Sequence, residues 1–132
     1  MESKELTVVI VTFKSDEKII NCLKSISNNI PVIVVENSDN KNFKNKIENI
    51  FTNVNCILAG ENKGYATANN IGLKSVKTKY ALVLNPDTIL DKDAIKFFFN
   101  IKEQVKDFWL IGPANNQIVH FNENDSNLKE VN

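Results

Sequence analysis

Residues 6–12 read LTVVIVT and constrain the fold more than any other part of the chain. Nearly all of these residues are apolar and most are β-branched, which favours a β-strand over a helix. A strand with one face in water alternates apolar and polar side chains, whereas this segment is apolar at successive positions. Such a strand is covered on both faces, and that is typical of a parallel sheet with helices packed against it.

Short apolar runs and amphipathic segments alternate along most of the chain, as they do in parallel α/β proteins. The predicted strands are residues 6–12, 32–35, 54–58, 80–84 and 108–111, of which 80–84 is expected to be buried like the first. The first predicted helix begins near the capping residue Ser15, and the other three span residues 40–51, 65–76 and 91–106. The sequence therefore predicts an α/β fold, a doubly wound and mostly parallel sheet with helices on both faces.

The chain has 132 residues, a length that fits one compact domain. Residues 1–114 form the predicted α/β domain, whereas residues 115–132 are polar and rich in turn formers. We expect a weak strand and then a loose tail in this second stretch. His120, the only histidine, lies there and is assigned no role.

The charge balance argues against a nucleic-acid partner, and the lengths of the apolar runs argue against a transmembrane segment. Sixteen acidic residues balance sixteen basic ones, and every basic residue is lysine. A neutral chain without arginine is unsuited to DNA or RNA, so no nucleic-acid partner is expected. The apolar runs are too short to span a bilayer, and we expect a cytoplasmic protein without a transmembrane segment or leader. Cys22 and Cys56 lie outside any metal-binding spacing and are predicted to be buried free thiols.

Polar side chains follow each of the first four predicted strands. These groups are residues 12–14, 36–39, 60–64 and 85–88. In an open parallel sheet, ligands bind beyond the carboxyl ends of the strands, where the strand order reverses. The sequence therefore predicts that polar groups from four strand ends converge on one crevice.

Three folds that bind nucleotides or accept phosphate lack their required residues here. A dinucleotide-binding Rossmann site needs G-x-G-x-x-G after the first strand, and no glycine precedes Gly60. The P-loop pattern G-x-x-x-x-G-K-[ST] is not satisfied by Gly60 and Gly64. A receiver domain needs an acidic pair after the first strand and an aspartate after the third, and the chain has neither.

Four segments carry a resemblance to a known family. They read VVIVTFKS (8–15), VIVVENSD (32–39), ENKGYATANNIGL (61–73) and LVLNPDT (82–88). In its order and spacing of motifs, the chain resembles the family-2 glycosyltransferases of the GT-A fold. The segment WLIGP (109–113) is similar to the strand that follows in those enzymes. The resemblance covers residues 6 to about 113, and four motifs in the correct order are far more specific than any one of them.

The resemblance implies the donor-binding half of an inverting glycosyltransferase, which binds a nucleoside-diphosphate sugar. Thr12 and Phe13 would lie against the nucleobase, and Glu36 would contact the base or the ribose. The segment from Asn62 to Gly64 would pass over the base, where glycine permits close approach of the backbone. The implied donor-binding residues are Thr12, Phe13, Glu36, Asn62, Lys63, Gly64, Asn69, Asn85 and Asp87.

The segment Asn85-Pro86-Asp87 stands where the family carries a D-x-D motif. The resemblance implies that Asp87 helps to hold Mg²⁺ or Mn²⁺ against the donor diphosphate. This N-P-D variant is frequent in relatives that resemble rhamnosyltransferases, which use dTDP-sugars. The resemblance therefore implies that the donor is a dTDP-sugar or a UDP-sugar. Relatives often carry A-R-N where this chain reads Ala-Asn-Asn, so a phosphate contact is missing or is moved to Lys63 or Lys74.

The residues that relatives use for catalysis have no counterpart in this chain. The catalytic carboxylate of inverting members and the Q-x-x-R-W motif come later than residue 132, so no catalytic residue is assigned. We expect a truncated chain, a split gene product, or a half completed by a partner chain or oligomer. Relatives usually build cell-surface polysaccharide, which implies a position at the inner face of the membrane.

Each candidate residue also has an ordinary structural explanation. Asp87 fits a turn after a proline, Glu36 fits a solvated carboxylate, and Asn62 fits a turn. Asn69 fits a residue on a helix surface. Two other functions therefore stay open: a non-catalytic interaction module that keeps the fold without binding a donor, and an unrelated small α/β nucleotide-binding protein.

Overall fold

The computed structural model of the protein describes residues 4–105, 107, 110–114, 117–121 and 129–131. Its contacts divide the chain into two compact units, Met1–Ala94 and Ile95–Asn132. The functional boundary that the sequence predicts at residue 114 stays a prediction.

The first unit is a four-stranded parallel sheet with three helices. Its strands are β1 (Leu6–Thr12), β2 (Val32–Glu36), β3 (Val54–Leu58) and β4 (Tyr80–Leu84). Its helices are α1 (Asp16–Lys24), α2 (Lys41–Ile50) and α3 (Tyr65–Lys74). The strands lie in the order β3-β2-β1-β4 and every pair is parallel, which confirms the predicted fold class.

Strand β1 lies at the centre of this sheet, and all seven of its residues are buried. Ile10 is paired with Val34 of β2 on one side and with Leu84 of β4 on the other. The chain moves outward from β1 through β2 to β3 and then returns to the far side of β1 as β4. The strand order therefore reverses at β1, and its carboxyl end marks the expected ligand edge.

Helix α3 covers one face of the sheet and lies over β1 and β2. Val11, Ile33, Val35 and Ala68 form a buried cluster on this face. Side chains alternate along a strand, so Ile10 and its neighbours two residues away point to the opposite face. Right-handed crossovers place α1 and α2 on that second face. The residues that α1 and α2 bury are Ile19, Cys22, Leu23, Phe43 and Ile47, which recur at helical spacing and are therefore expected to face inward.

Two side chains of α2 cover the outer edge of β3. The amide of Cys56 donates to the Glu48 carboxylate at 2.9 Å, and the carbonyl of Cys56 accepts from the Lys44 ammonium. Lys44 also pairs with Glu48. This bond, together with the one from the Cys56 amide, holds the pKa of Glu48 below its usual value. Since an unpaired strand edge invites another strand, these contacts protect the sheet from edge-to-edge association.

Two predictions about burial are wrong. Strand β4 is expected to be buried, yet Ala81 and Val83 are exposed. Val83 pairs with Val9, whose face is covered by α3, but α3 lies over β1 and β2 rather than over this outer strand. The helical spacing of Phe43, Ile47 and Ile50 predicts that Ile50 also packs inward. It is exposed instead, because α2 ends there and the chain buries Phe51.

The second unit contains most of helix α4 (Ala94–Gln104) and an antiparallel sheet. Its strands β5 (Leu110–Ala114), β6 (Gln117–Phe121) and β7 (Lys129–Val131) pair in that order. The expectation of a loose tail is therefore wrong at β7, although β6 agrees with the predicted weak strand. His120 lies in β6, whereas residues 108 and 109 of the predicted strand 108–111 fall outside the described residues. None of the helices in the described ranges combines the length and the apolar character needed to cross a bilayer.

Replacing Gly72 with alanine is expected to destabilise the first unit. A Cβ atom at this position would stand 2.6 Å from Val9 Cγ1 and 3.1 Å from Val35 Cγ2, where α3 meets the sheet. The clash should outweigh the gain of about 1 kcal/mol in helix propensity and lower the free energy of unfolding by about 1–3 kcal/mol. Urea unfolding measures this, with Asn70→Ala on the exposed side of α3 as the control, expected to change stability by less than about 0.5 kcal/mol. A Gly72→Ala protein as stable as the wild type would contradict this packing.

Candidate functional site

The loops after β1, β2, β3 and β4 meet at the carboxyl edge of the sheet, as the sequence predicts. The meeting point is Asn37, the first residue after β2, which is buried. Its amide N–H donates to the carbonyl of Thr12 at 2.8 Å. Its side-chain Nδ2 donates to Asn62 Oδ1, and its Oδ1 accepts from the Lys63 amide, both at 3.0 Å. One buried asparagine, through its backbone N–H and its side-chain amide, thus joins the ends of three strands.

The fourth strand end is joined to the others through Tyr65. The Tyr65 hydroxyl donates to Asn85 Oδ1 at 2.8 Å, which connects the first residue of α3 to the loop after β4. Asn85 and Asp87 are both exposed at this edge. Asp87 therefore lies at the same carboxyl edge of the sheet as the loops that carry Phe13 and Lys63.

Glu36, the last residue of β2, is buried and organises the loop that follows it. Its Oε1 accepts from the Ser38 hydroxyl at 2.5 Å, and its Oε2 accepts from the Ser38 and Asn40 amides at 3.2 and 3.1 Å. The explanation of Glu36 as a solvated carboxylate is therefore wrong. Each carboxylate oxygen offers two lone pairs, so Oε1 keeps one for a further donor.

Asn62, Lys63 and Gly64 form an exposed turn before α3. Asn62 Oδ1 accepts from the Gly64 amide at 3.0 Å, which is the local side-chain bond that favours asparagine in turns. Gly64 has a φ of 81°, a conformation that side-chain-bearing residues rarely adopt. The turn explanation thus holds for the local geometry. The Lys63 side chain stands at the ligand edge, whereas Lys74 lies in the last turn of α3, at the other end of that helix.

Thr12 and Phe13 lie side by side at the end of β1 in very different surroundings. Thr12 is fully buried, and its Oγ1 has no hydrogen-bond partner among the described residues. The Phe13 ring is 40% exposed, with the Lys14 ammonium 5.2 Å from its centroid. Lys14 has a φ of 53°, a left-handed conformation that costs a lysine of order 1–3 kcal/mol. The chain therefore turns sharply here and leaves an aromatic face open to solvent.

Asn69 is not the helix-surface residue that one explanation predicts. It is only 8% exposed, and its Nδ2 donates to the Tyr65 carbonyl at 3.1 Å. Its Oδ1 is buried without a partner among the described residues. Asn70 does face the solvent.

A cleft of about 550 Å³ opens beside Glu36, between the first turns of α1 and α2. It is lined by Lys14, Ser15, Asp16, Glu17, Lys18, Glu36, Ser38 and Asn40. This volume is in the range of small-molecule sites. Of the nine predicted donor-binding residues the cleft lining includes Glu36, whereas the other eight, Asn85 and Asp87 among them, lie outside it.

Cys22 and Cys56 are buried free thiols, as predicted. Burial raises the pKa of the Cys22 thiol to about 11, and the negative charge of Asp87 acts in the same direction. Burial also raises the pKa of the Cys56 thiol to about 11. The Cys22 thiol donates to the carbonyl of Asn85 at 3.7 Å, so Cys22 lies beneath the loop that follows β4.

No group of three His, Cys, Asp or Glu side chains comes together in the part of the chain that the structure describes. Asp87 offers one carboxylate, and the Oδ1 of Asn85 is already engaged by Tyr65. A magnesium ion often binds through one or two carboxylates together with phosphate oxygens, so Asp87 fits a cation that arrives with a diphosphate.

Two residues that organise this edge were not among the predicted site residues. Asn37 stands between predicted residues and is distinguished in sequence only by following a buried strand. Tyr65 opens α3, and its hydroxyl reaches twenty residues along the chain to Asn85. Both roles depend on contacts between loops, which residue spacing does not predict.

Comparisons with known proteins identify relatives of this chain. The family model for glycosyl transferase family 2 matches residues 7–111. The low-salt glycan biosynthesis hexosyltransferase Agl10 of Haloferax volcanii is 30% identical over 113 residues, which cover 83% of this chain and 36% of that protein. A teichoic acid poly(glycerol phosphate) polymerase of Staphylococcus epidermidis is 30% identical over 102 residues, or 71% of this chain and 14% of that protein.

The fold also has a solved counterpart. The crystal structure of S. aureus TarS 1-349 superposes with a TM-score of 0.66 and 18% identity, over 76% of this chain and 32% of that one. At this identity the likeness concerns the fold alone. The chain spans about a third or less of the length of each of these three proteins.

Replacing Asp87 with asparagine is expected to lower the pKa of Cys22 and to leave that of Cys56 at about 11. A neighbouring negative charge disfavours the thiolate and raises the pKa, so its removal must act in the opposite direction. An NMR titration of ¹³Cβ-labelled cysteine measures both thiols in one sample. Cys56 is the internal control, and Asp93→Asn, an exposed aspartate farther along the chain, is the matched variant. An unchanged Cys22 titration in Asp87→Asn would mean that the two groups are not neighbours.

Proposed function

Because this chain belongs to glycosyl transferase family 2, we propose that it is the donor-binding part of a glycosyltransferase and binds a nucleoside-diphosphate sugar. The observation that carries the proposal is the hydrogen-bonded junction of four strand ends around Asn37 and Tyr65. A junction of this kind holds the loops in place, so that exposed groups on them form a preorganised surface. In a complete transferase, residues of an acceptor half would form the acceptor site.

Different residues at this edge would contact different parts of the donor. The Phe13 ring offers a flat face for the nucleobase, and the remaining lone pair of Glu36 Oε1 accepts a ribose or base donor. The exposed Lys63 would supply a positive charge to a donor phosphate. The partnerless Thr12 Oγ1 and Asn69 Oδ1 leave two buried polar atoms for the bound donor or its ordered water.

Asp87 is the residue that would hold a divalent cation, Mg²⁺ or Mn²⁺, together with the donor diphosphate. The cation would neutralise charge on the departing nucleoside diphosphate. The carboxylate itself is exposed, and its neighbour Asn85 is held by Tyr65, so the loop presents one oxygen ligand from a fixed backbone. No described residue is assigned the role of catalytic base.

The finer identity of the donor and its setting are part of the proposal. The N-P-D motif favours a dTDP-sugar or a UDP-sugar, and relatives named for glycan and teichoic acid synthesis favour a cell-surface glycan as the product. Such an enzyme would work in the cytoplasm at the inner face of the membrane, with the acceptor half supplied by further sequence or a partner chain.

Donor binding should appear as a metal-dependent thermal shift. UDP, dTDP, GDP and their sugars are tested on the 132-residue chain with and without Mn²⁺. A ligand at a hundred times its dissociation constant stabilises the folded state by about 2.7 kcal/mol, which is several degrees for a domain of this size. We expect a shift with dTDP- or UDP-sugars that increases when Mn²⁺ is present.

The Asp87→Asn variant should lose the part of the shift that depends on Mn²⁺, because its amide is a poor ligand for a hard cation. Asp93→Asn removes the same charge from an exposed position and should behave like the wild type. No shift with any nucleotide, on protein shown to be folded, would contradict donor binding and favour the non-catalytic interaction module. A shift that ignores the metal in both variants would contradict the role of Asp87.

A further inference from the structure

The last turn of α1 holds the far end of the loop that carries Asp87. The Leu90 amide donates to Ser25 Oγ at 3.0 Å, and the same hydroxyl donates to the Cys22 carbonyl at 2.6 Å. Ser25 is the C-cap residue of α1, sixty-five residues away from Leu90 in sequence. One hydroxyl thus joins the end of this helix to the end of the loop formed by residues 85–90.

The near end of the same loop is held by the same helix turn. Cys22 Sγ donates to the Asn85 carbonyl at 3.7 Å, a weak bond because a thiol is a weak donor. Inside the loop, the Thr88 amide donates to that same carbonyl at 3.1 Å and closes a turn around Pro86 and Asp87. Both ends of the loop therefore rest on α1, three residues apart on one face of the helix.

The Asp87 side chain depends on this support. It is exposed, and its carboxylate accepts no hydrogen bond from any residue that the structure describes. Its position is therefore set by the backbone of the 85–90 loop and not by contacts of its own. A carboxylate that must meet a cation within a few tenths of an ångström needs a backbone that does not drift.

We propose that Ser25, with Cys22 beside it, is a positioning residue for Asp87, and that it fixes the 85–90 loop in the place where the carboxylate can share a cation with the donor diphosphate. This inference rests on the proposed function and adds to it a determinant in a helix that carries none of the predicted donor-binding residues. The hydroxyl oxygen can accept from the Leu90 amide while its own hydrogen is donated to the Cys22 carbonyl. The helix end is closed separately by the Ser25 amide, which donates to the carbonyls of Asn21 and Cys22.

The chain offers a matched control for Ser25. Ser75 is the C-cap of α3 and has the same right-handed helical conformation, and among the described residues its hydroxyl bonds only to the Ile71 carbonyl of its own helix. Ser25→Ala and Ser75→Ala therefore remove the same group from equivalent helix positions, and only the first loses a bond to the 85–90 loop. Ser25→Thr restores a hydroxyl at the first position.

The first measurement is hydrogen exchange of the Leu90 amide by NMR, which needs no ligand. Ser25→Ala should speed exchange at Leu90 by about tenfold, since the amide loses its acceptor. Ser75→Ala should leave it unchanged, and Ser25→Thr should restore most of the protection. Exchange at Leu90 that is as slow in Ser25→Ala as in the wild type would overturn the anchoring role, whatever the nucleotide experiments give.

The second measurement is the dissociation constant for dTDP and UDP with and without Mn²⁺. Ser25→Ala should weaken binding about tenfold in the presence of Mn²⁺ and leave metal-free binding unchanged, with rescue by Ser25→Thr. Faster exchange at Leu90 with unchanged Mn²⁺-dependent binding would overturn the positioning role. If the wild type itself binds no nucleotide, the proposed function fails and the positioning role fails with it, while the Leu90 result still reports whether Ser25 anchors the loop.

Discussion

The burial of β1 on both faces is the constraint on which the rest of the first unit depends. A strand with seven buried residues needs a hydrogen-bonded neighbour on each side and a helical layer above and below. The structure meets both needs with β2 and β4 as neighbours, α3 on one face, and α1 and α2 on the other. This arrangement reverses the strand order at β1 and so creates the edge where the loops meet.

At that edge, buried groups and exposed groups have different tasks. Glu36 and Asn37 are buried and spend their hydrogen-bonding capacity on the loops around them. Phe13, Lys63 and Asp87 present exposed side chains at the same edge. Loops that carry function gain precision when a rigid scaffold holds them, and here the scaffold includes the polar junction as well as the sheet.

The same division explains how helix α1 takes part in the site. Its buried face packs on the sheet through Ile19 and Leu23, while Cys22 and Ser25 extend that contact to the loop after β4. Cys22 thus combines a core position with a place beneath Asp87, and the charge of Asp87 contributes to its raised pKa. The family model for glycosyl transferase family 2 matches residues 7–111, which include all of these groups.

By itself the sequence determined the parallel α/β architecture, because runs such as LTVVIVT stay dry only between two helical layers, and it determined the family through four ordered motifs. It also placed the candidate residues at the strand ends. Only the tertiary structure decided that Asn37 joins three loops, that Glu36 is engaged and buried, and that Ser25 meets Leu90. The exposure of Val83 was decided there too, since it depends on how far α3 extends across the sheet. The physical reason is that periodicity records which face of an element is apolar, whereas hydrogen bonds between loops depend on the distances and angles at which separate elements finally pack.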